Sequence, residues 1–162
     1  MGAIRELRPV GQLLATLEEE NIRVILIGMS AAIVQGVMAS TMDVDLWIDL
    51  PSRQYMRVQN LARRLGATFG ANTVAYLKDG TPINFVFEVT GLQSFSREMR
   101  QTQRLNFHGC RVPVLKLERI KKSKEAIRRD KDLLHIIHIR DFLRCKRALV
   151  RRRQPSKRSR RE

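Results

Sequence analysis

The sequence predicts an α+β domain, a sheet flanked by helices with further helices at its C-terminal end. Three observations lead there. The run Ile22 to Ile27 is short, apolar and rich in β-branched residues, as buried strands are, and Asp43 to Ile48 alternates as a second strand does. Elsewhere apolar residues recur at spacings of three and four, the period of a helix packed on one side. At Asp79-Gly80, two strand-like runs meet at a dipeptide that strongly favours a tight hairpin. A chain of 162 residues, 43% of them apolar, is the size of one compact domain with a real core.

Taken in order, Arg5 to Glu20 places Leu7, Val10, Leu13, Leu14 and Leu17 on one helical face, with Pro9 marking where a regular helix can begin. Ile22 to Ile27 is the first buried strand. Gly28 permits a turn after it, and Ser30 is placed to cap the helix that follows through Val34. Gly36 to Thr41 is a loop of small residues leading into the second strand. Ser52 to Leu65 is a helix with Tyr55, Val58, Leu61, Ala62 and Leu65 inward and arginines outward, ended by Gly66.

Thr73 to Lys78 and Thr81 to Val89 are the strands of the Asp79-Gly80 hairpin. Gly91 to Thr102 is a loop with a short helix. Arg104 to Phe107 and Arg111 to Leu115, joined at His108-Gly109, form a second hairpin expected at the periphery, with His108 exposed in its turn. From Leu117 the period is helical, in two helices that break near Arg129 and Asp130. Their core candidates are Leu117, Ile120, Ile127, Leu133, Leu134, Ile136, Ile137, Ile139, Phe142 and Leu143. His135 and His138 flank apolar positions and read as packing or surface residues rather than ligands. The domain is expected over residues 1–150, followed by a basic tail, Arg151 to Glu162, without apolar residues and expected to be disordered.

The net charge is +15, and the part from Arg144 onward holds ten Lys/Arg and one Glu. Such a balance suits a polyanionic partner, nucleic acid first, although a solvated tail that maintains solubility would look the same. Cys110 and Cys145 lie far apart without a zinc-type spacing, so reduced thiols of a cytoplasmic protein are expected. No window approaches the roughly 18 apolar residues of a membrane span, and no membrane partner is expected.

The residues with chemistry to offer are Asp43 and Asp45. Positions i and i+2 of a strand share a face, so the two carboxylates can meet one divalent metal. A surface turn also tolerates Asp-x-Asp, but unpaired charge is costly on a strand that is otherwise apolar. A helix N-terminus near Gly28 and Ser30, aimed at that pair, would present N–H groups to a phosphate, or would be an ordinary strand-to-helix turn. Asn84 interrupts the apolar run PINFVFEV and could add a neutral oxygen ligand if its strand lies beside the Asp43 strand. Lys121, Lys124, Arg128 and Lys131 recur at three and four, lining up cations along one face, as an ordinary solvated face also would.

Gly28, Ser30, Ala31, Gly36, Thr41, Asp43 and Asp45, in the order strand, Gly, helix, Gly, Thr-x-Asp-x-Asp, resemble the signature of the nucleotidyltransferase-fold superfamily, especially small bacterial proteins related to the AbiEii toxin-type nucleotidyltransferases. Pro82 to Val86 looks like the family strand that carries a third carboxylate. Lys124, Arg128, Lys131 and Asp132 look like its C-terminal Lys-x-x-x-Arg-x-x-Lys-Asp segment. The resemblance spans roughly residues 22 to 140. It implies a mixed sheet flanked by helices, with Mg²⁺ held by Asp43 and Asp45 against an NTP. Gly28, Ser30 and Thr41 would then lie at the phosphate turn, and Lys124, Arg128 and Lys131 would contact triphosphate or acceptor. In that family the metal activates an acceptor hydroxyl and stabilises charge on the α-phosphate, with pyrophosphate as product.

Three positions depart from the pattern. Met29 stands where a second glycine is frequent, Ala39 where an arginine precedes the threonine, and Asn84 where the third carboxylate belongs. Glu88 shares the face of Asn84 by parity but should lie about 13 Å farther along an extended strand. The expected activity is nucleotide transfer to an acceptor such as an RNA or protein hydroxyl. Its alternatives are a degenerate, antitoxin-like module that binds nucleotide or a protein partner without turnover, and a nucleic-acid-binding protein in which the acidic pair is incidental.

Overall fold

The computed structural model describes residues 6–71 and 73–154. Its framework is a seven-stranded mixed sheet in the order β3-β4-β5-β2-β1-β7-β6. The strands are β1 (Val24–Ile27), β2 (Val44–Ile48), β3 (Thr68–Phe69), β4 (Val74–Tyr76), β5 (Pro82–Val86), β6 (Thr102–Phe107) and β7 (Cys110–Leu115). Among the described residues six α-helices accompany them: α1 (Pro9–Glu19), α2 (Gly28–Val34), α3 (Tyr55–Arg64), α4 (Phe95–Glu98), α5 (Leu117–Ile127) and α6 (Asp130–Arg153).

The central strand of the seven is β2, and beside it all four residues of β1 are buried, so helices cover both faces of the sheet there. Strand β1 runs antiparallel to β2, with Ile27 opposite Asp45, and parallel to β7. On its far side β2 pairs in parallel with β5, in a register that sets Asp45 beside Asn84. Helix α1 begins with Pro9 in its first turn and buries Val10, Leu13, Leu14 and Leu17. It comes so close to the β6–β7 turn that a Cβ on Gly11 would lie 2.3 Å from the His108 carbonyl oxygen. Helix α2 lies against β1, β2 and α5, while α5 packs along α6.

Several expectations change. The hairpin of β6 and β7 is not peripheral as a unit. Val112, Val114 and Leu115 are buried and β7 pairs with β1, so only β6 is an edge. The two-residue strand β3 continues the sheet beyond β4, too short to leave an alternation in sequence. Ser30 does not cap α2, whose N-cap is Ile27; it sits inside the helix. In α6 only one side packs. Ile136 and Ile139 are buried, whereas Leu133, Leu134 and Ile137 are 41%, 55% and 49% exposed and Ile127 of α5 is exposed too. Leu133, Leu134 and Ile137 stand on the side of the helix that nothing covers, and periodicity alone does not tell a covered face from an uncovered one. The helix runs through Arg153, so the first three residues of the expected tail are helical; residues 155–162 lie outside the described part. Among the described residues no helix is long and apolar enough to cross a membrane.

Two polar contacts fix the segment after β5. The Trp47 indole donates to the Phe87 carbonyl at 3.0 Å, and its ring meets Phe95 edge-on at 5.5 Å. Glu98, 1% exposed, accepts from the Gln93 amide at 3.0 Å and from Arg119 Nε at 2.9 Å, tying α4 to α5. These contacts bend the chain away from the strand direction just past Val86.

Candidate functional site

At the end of β1 and the start of β2, a cleft of about 370 Å³ opens between the sheet and the α5–α6 corner. Asp43, Asp45, Asn84 and Glu88 line it from the sheet side, and Lys124, Arg129, Lys131 and Asp132 from the helices. Carboxylates and cations therefore face each other across one space.

Asp45 is the fixed point of the acidic wall. It is half-buried in β2, and its Oδ1 accepts from Asn84 Nδ2 at 2.8 Å. A carboxylate can only accept, so this contact commits the amide's NH₂ to Asp45. The other oxygen, Oδ2, lies against Gly28. A Cβ built on Gly28 would be 2.2 Å from it, and the glycine has φ of +67°. Gly28 is therefore required twice, for its backbone conformation and for the carboxylate's position. Burial raises the pKa of Asp45, opposed by the Asn84 hydrogen bond and aided by the charge of Asp43; Lys124 and Lys131 act to lower it.

Asp43 precedes β2 and is exposed. Its backbone is held rather than its carboxylate: Ser30 Oγ donates to its carbonyl oxygen at 2.7 Å, and Thr41 Oγ1 approaches the same oxygen at 3.5 Å, a weak contact. The hydroxyls expected at a phosphate turn thus lie behind Asp43, in a neighbouring recess, and orient the loop from which its side chain projects.

The opposite wall is organised by Asp132, which is 0% exposed. It is the third residue of α6 and closes a capping box with Arg129, accepting from the Arg129 backbone at 3.1 Å and from its Nε at 2.7 Å. Lys124 Nζ lies 3.4 Å from Asp132 Oδ1 and 3.0 Å from His135 Nδ1. Burial works against the charge of Asp132, but Arg129 and Lys124 outweigh it and hold its pKa below the usual carboxylate range. Burial lowers the pKa of Lys124, and burial with the Lys124 charge lowers that of His135. A protonated Lys124 donating to a neutral His135 Nδ1 satisfies both groups.

The structure brings together Gly28, Asp43, Asp45, Asn84, Lys124 and Lys131 at the cleft. It does not bring Arg128 there. That residue is exposed in the left-handed conformation, φ 54°, that ends α5, and the turn breaks the cationic row expected from spacing; Arg129 lines the cleft in its place. Arg129 gave no separate signal in the sequence. Asp132 did, as part of the Lys-x-x-x-Arg-x-x-Lys-Asp segment that resembles the nucleotidyltransferases. Glu88 also reaches the cleft, because β5 stops at Val86 and the extended-strand distance does not apply.

Among the described residues, no group of three or more His, Cys, Asp and Glu side chains is arranged to hold a metal ion. Two carboxylates with nearby phosphates nevertheless fit Mg²⁺, which commonly takes one or two protein carboxylates and fills its octahedron with substrate oxygens and water. A second metal does not fit, because the amide that replaces a third carboxylate brings no charge and donates to Asp45.

No protein-family model matches the chain, and no curated protein matches its sequence. Solved structures do. A Thermotoga maritima protein assigned as a nucleotidyltransferase aligns over 83% of this chain and 90% of its own, at 16% identity and a TM-score of 0.52. ANT(2″)-Ia in complex with adenylyl-2″-tobramycin aligns over 93% and 94%, at 14% identity and 0.55. An antigenic nucleotidyltransferase-like protein from Paracoccidioides brasiliensis aligns over 78% and 72%, at 17% identity and 0.50. The chain has the nucleotidyltransferase fold.

Proposed function

We propose that the chain binds an Mg²⁺-NTP in this cleft and transfers its nucleotidyl group to an acceptor hydroxyl. The observation that carries the reading is the cleft's polarity, with Asp43 and Asp45 facing Lys124, Arg129 and Lys131 within a nucleotidyltransferase fold. ANT(2″)-Ia, solved with an adenylylated acceptor, belongs to the same fold and supports the reaction class. The Thr-x-Asp-x-Asp motif supports a place among the AbiEii-type proteins.

Asp43 and Asp45 would hold the ion, which when bound supplies charge stabilisation at the α-phosphate and acidifies a coordinated hydroxyl. The remaining work belongs to the chain. Lys124, Arg129 and Lys131 neutralise the triphosphate and orient it. Ser30 and Thr41 act through the backbone of Asp43. The acceptor oxygen bonds to the α-phosphorus, the α–β bridging P–O bond breaks, and pyrophosphate leaves with that electron pair. The acceptor proton passes to water at the exposed Asp43 end, because the Asn84 amide cannot take it. Slow turnover is the expected consequence.

Incubation with α-labelled NTPs, Mg²⁺ and cellular RNA or protein is expected to give labelled acceptor and pyrophosphate, both abolished by Asp43→Ala. Labelling that survives this substitution overturns the site. One observation, the Asn84 amide committed to Asp45, favours a second reading: a module that binds nucleotide without turnover. Calorimetric binding of Mg²⁺-NTP without pyrophosphate release, with release appearing in Asn84→Asp, would establish it.

A further inference from the structure

Beyond Leu143, helix α6 leaves the body, and every residue from Arg144 to Gln154 is exposed. Arg140, Arg144, Arg147 and Arg151 recur at four, three and four residues, so on a helix they stand in one stripe. Together with Lys121 of α5 they line a cavity of about 520 Å³ that shares no residue with the Asp43–Asp45 cleft. Lys121 is paired to Glu125 at 3.4 Å. Among the described residues none of the four arginines has an ion-pair partner, and Asp141, the one acidic residue from Arg140 to Gln154, pairs with none of them.

Like charges at this spacing disfavour the helix that carries them. The helix dipole accounts for cations in the last turn, Arg151 to Arg153, but its effect fades within a turn and does not reach Arg140 or Arg144. A polyanion laid along the stripe accounts for all four. From Arg140 to Arg151 the stripe is roughly 16 Å long at 1.5 Å per residue. A nucleic-acid duplex carries one charge per roughly 1.7 Å of axis, so about ten phosphates lie within that reach.

The surroundings narrow the partner. Exposed Leu149 projects from roughly the opposite side of the helix and Val150 roughly a quarter turn away, so neither adds an apolar face beside the arginines; the exposed Leu133, Leu134 and Ile137 lie one to two turns before Arg140, outside the stripe. Phe142 is the one aromatic residue of the segment and packs inward near Gly36, which leaves no platform for stacking unpaired bases.

We propose that the Arg140, Arg144, Arg147 and Arg151 stripe docks the phosphate backbone of a nucleic-acid duplex without reading its sequence. The proposal is independent of nucleotide transfer in the other cleft. Its test measures fluorescence anisotropy of a labelled duplex of about 20 base pairs, as RNA and as DNA, with the full chain across a salt series. Two triple variants are compared: Arg144→Gln/Arg147→Gln/Arg151→Gln on the stripe, and Lys146→Gln/Arg152→Gln/Arg153→Gln off it, both with the same charge removed. Each neutralised phosphate contributes about −0.9 to the slope of log K against log salt, so the stripe variant should flatten it by about 2.7. Its affinity at low salt should fall at least tenfold, with melting temperature not lowered, while the second variant loses much less. RNA and DNA arms show which duplex is preferred. Equal losses from the two variants overturn the proposal, as does absence of duplex binding, tighter binding of a single strand, or equal binding to anionic phosphatidylserine vesicles.

Discussion

Replacing Asn84 by aspartate should destabilise the protein in a way that pH and Mg²⁺ both reverse. Asn84 Nδ2 sits 2.8 Å from Asp45 Oδ1, so the change turns a donor to a carboxylate into a second acceptor at the same distance. A hydrogen bond to a charged group contributes about 1.5–3 kcal/mol, and its loss sets the lower bound. The upper bound comes from protonation. Two carboxylates this close can share one proton, and holding it at pH 7 on a group of ordinary pKa near 3.9 costs about 4 kcal/mol. The expected loss at pH 7 is therefore about 2–4 kcal/mol, or roughly 5–15 °C in melting temperature for a chain of this size.

The sign with pH follows from a folded-state pKa raised above the unfolded one. The penalty is absent below the unfolded pKa, grows as pH rises, and levels off above the folded value. At pH 5 it should shrink to about 1.5 kcal/mol. Millimolar Mg²⁺ should restore most of the loss, because the cation replaces the shared proton, and pyrophosphate release should rise. Thermal melts of wild type and Asn84→Asp at pH 5 and pH 7, with and without Mg²⁺, read all of this. Melting curves that coincide under the four conditions would refute the pairing of Asp45 with residue 84 as the core of the site.

Three other perturbations test the remaining parts. Gly28→Ala should cost about 1–2 kcal/mol from its left-handed backbone alone and push Asp45 aside, so calorimetry should register loss of Mg²⁺-NTP binding while the circular dichroism spectrum persists. Asp132→Asn leaves Lys124 and Arg129 without their shared carboxylate; loss of a buried partner costs about 3–5 kcal/mol, readable as a lower urea midpoint at unchanged slope. In Glu98, the Arg119 hydrogen bond lowers the pKa against the opposing effect of burial. Its stabilisation is thus present above the unfolded carboxyl pKa and lost as pH falls through the folded one, so the stability gap between wild type and Glu98→Gln should close below about pH 4 in urea melts.

The resemblance to nucleotidyltransferases carried the identification of the fold further than any single element could, because its motifs occur in order along most of the chain. Local features were legible for local reasons. Pro9 starts its helix because its fixed φ suits the first turn, Gly66 ends one because it can take the left-handed φ of +89°, and Asp79-Gly80 closes its hairpin with the Asp79 side chain accepting from the Thr81 amide at 3.0 Å. Periodicity marks an apolar face on α6 but not whether anything covers it, so its exposed apolar residues look like core in the sequence. Leu133, Leu134 and Ile137 lie on the uncovered side, and Ile136 and Ile139 on the other.

By itself, then, the sequence determined the helices and every strand but the two-residue β3, the Asp43/Asp45 pair at the start of β2, and the strongly basic C-terminal part. Each is written in residues a few positions apart, where backbone periodicity and turn chemistry act directly. Only the tertiary structure decided that β2 and β5 run in parallel with Asp45 beside Asn84, that Gly28 leaves room for the Asp45 carboxylate, and that Asp132 gathers Lys124 and Arg129 opposite them. It also decided that Arg129 rather than Arg128 faces the cleft, since a left-handed turn at the end of α5 reorients the chain between the two helices. These outcomes depend on strand pairing and helix docking between segments far apart in the chain, and on packing that leaves one side chain space where another has none.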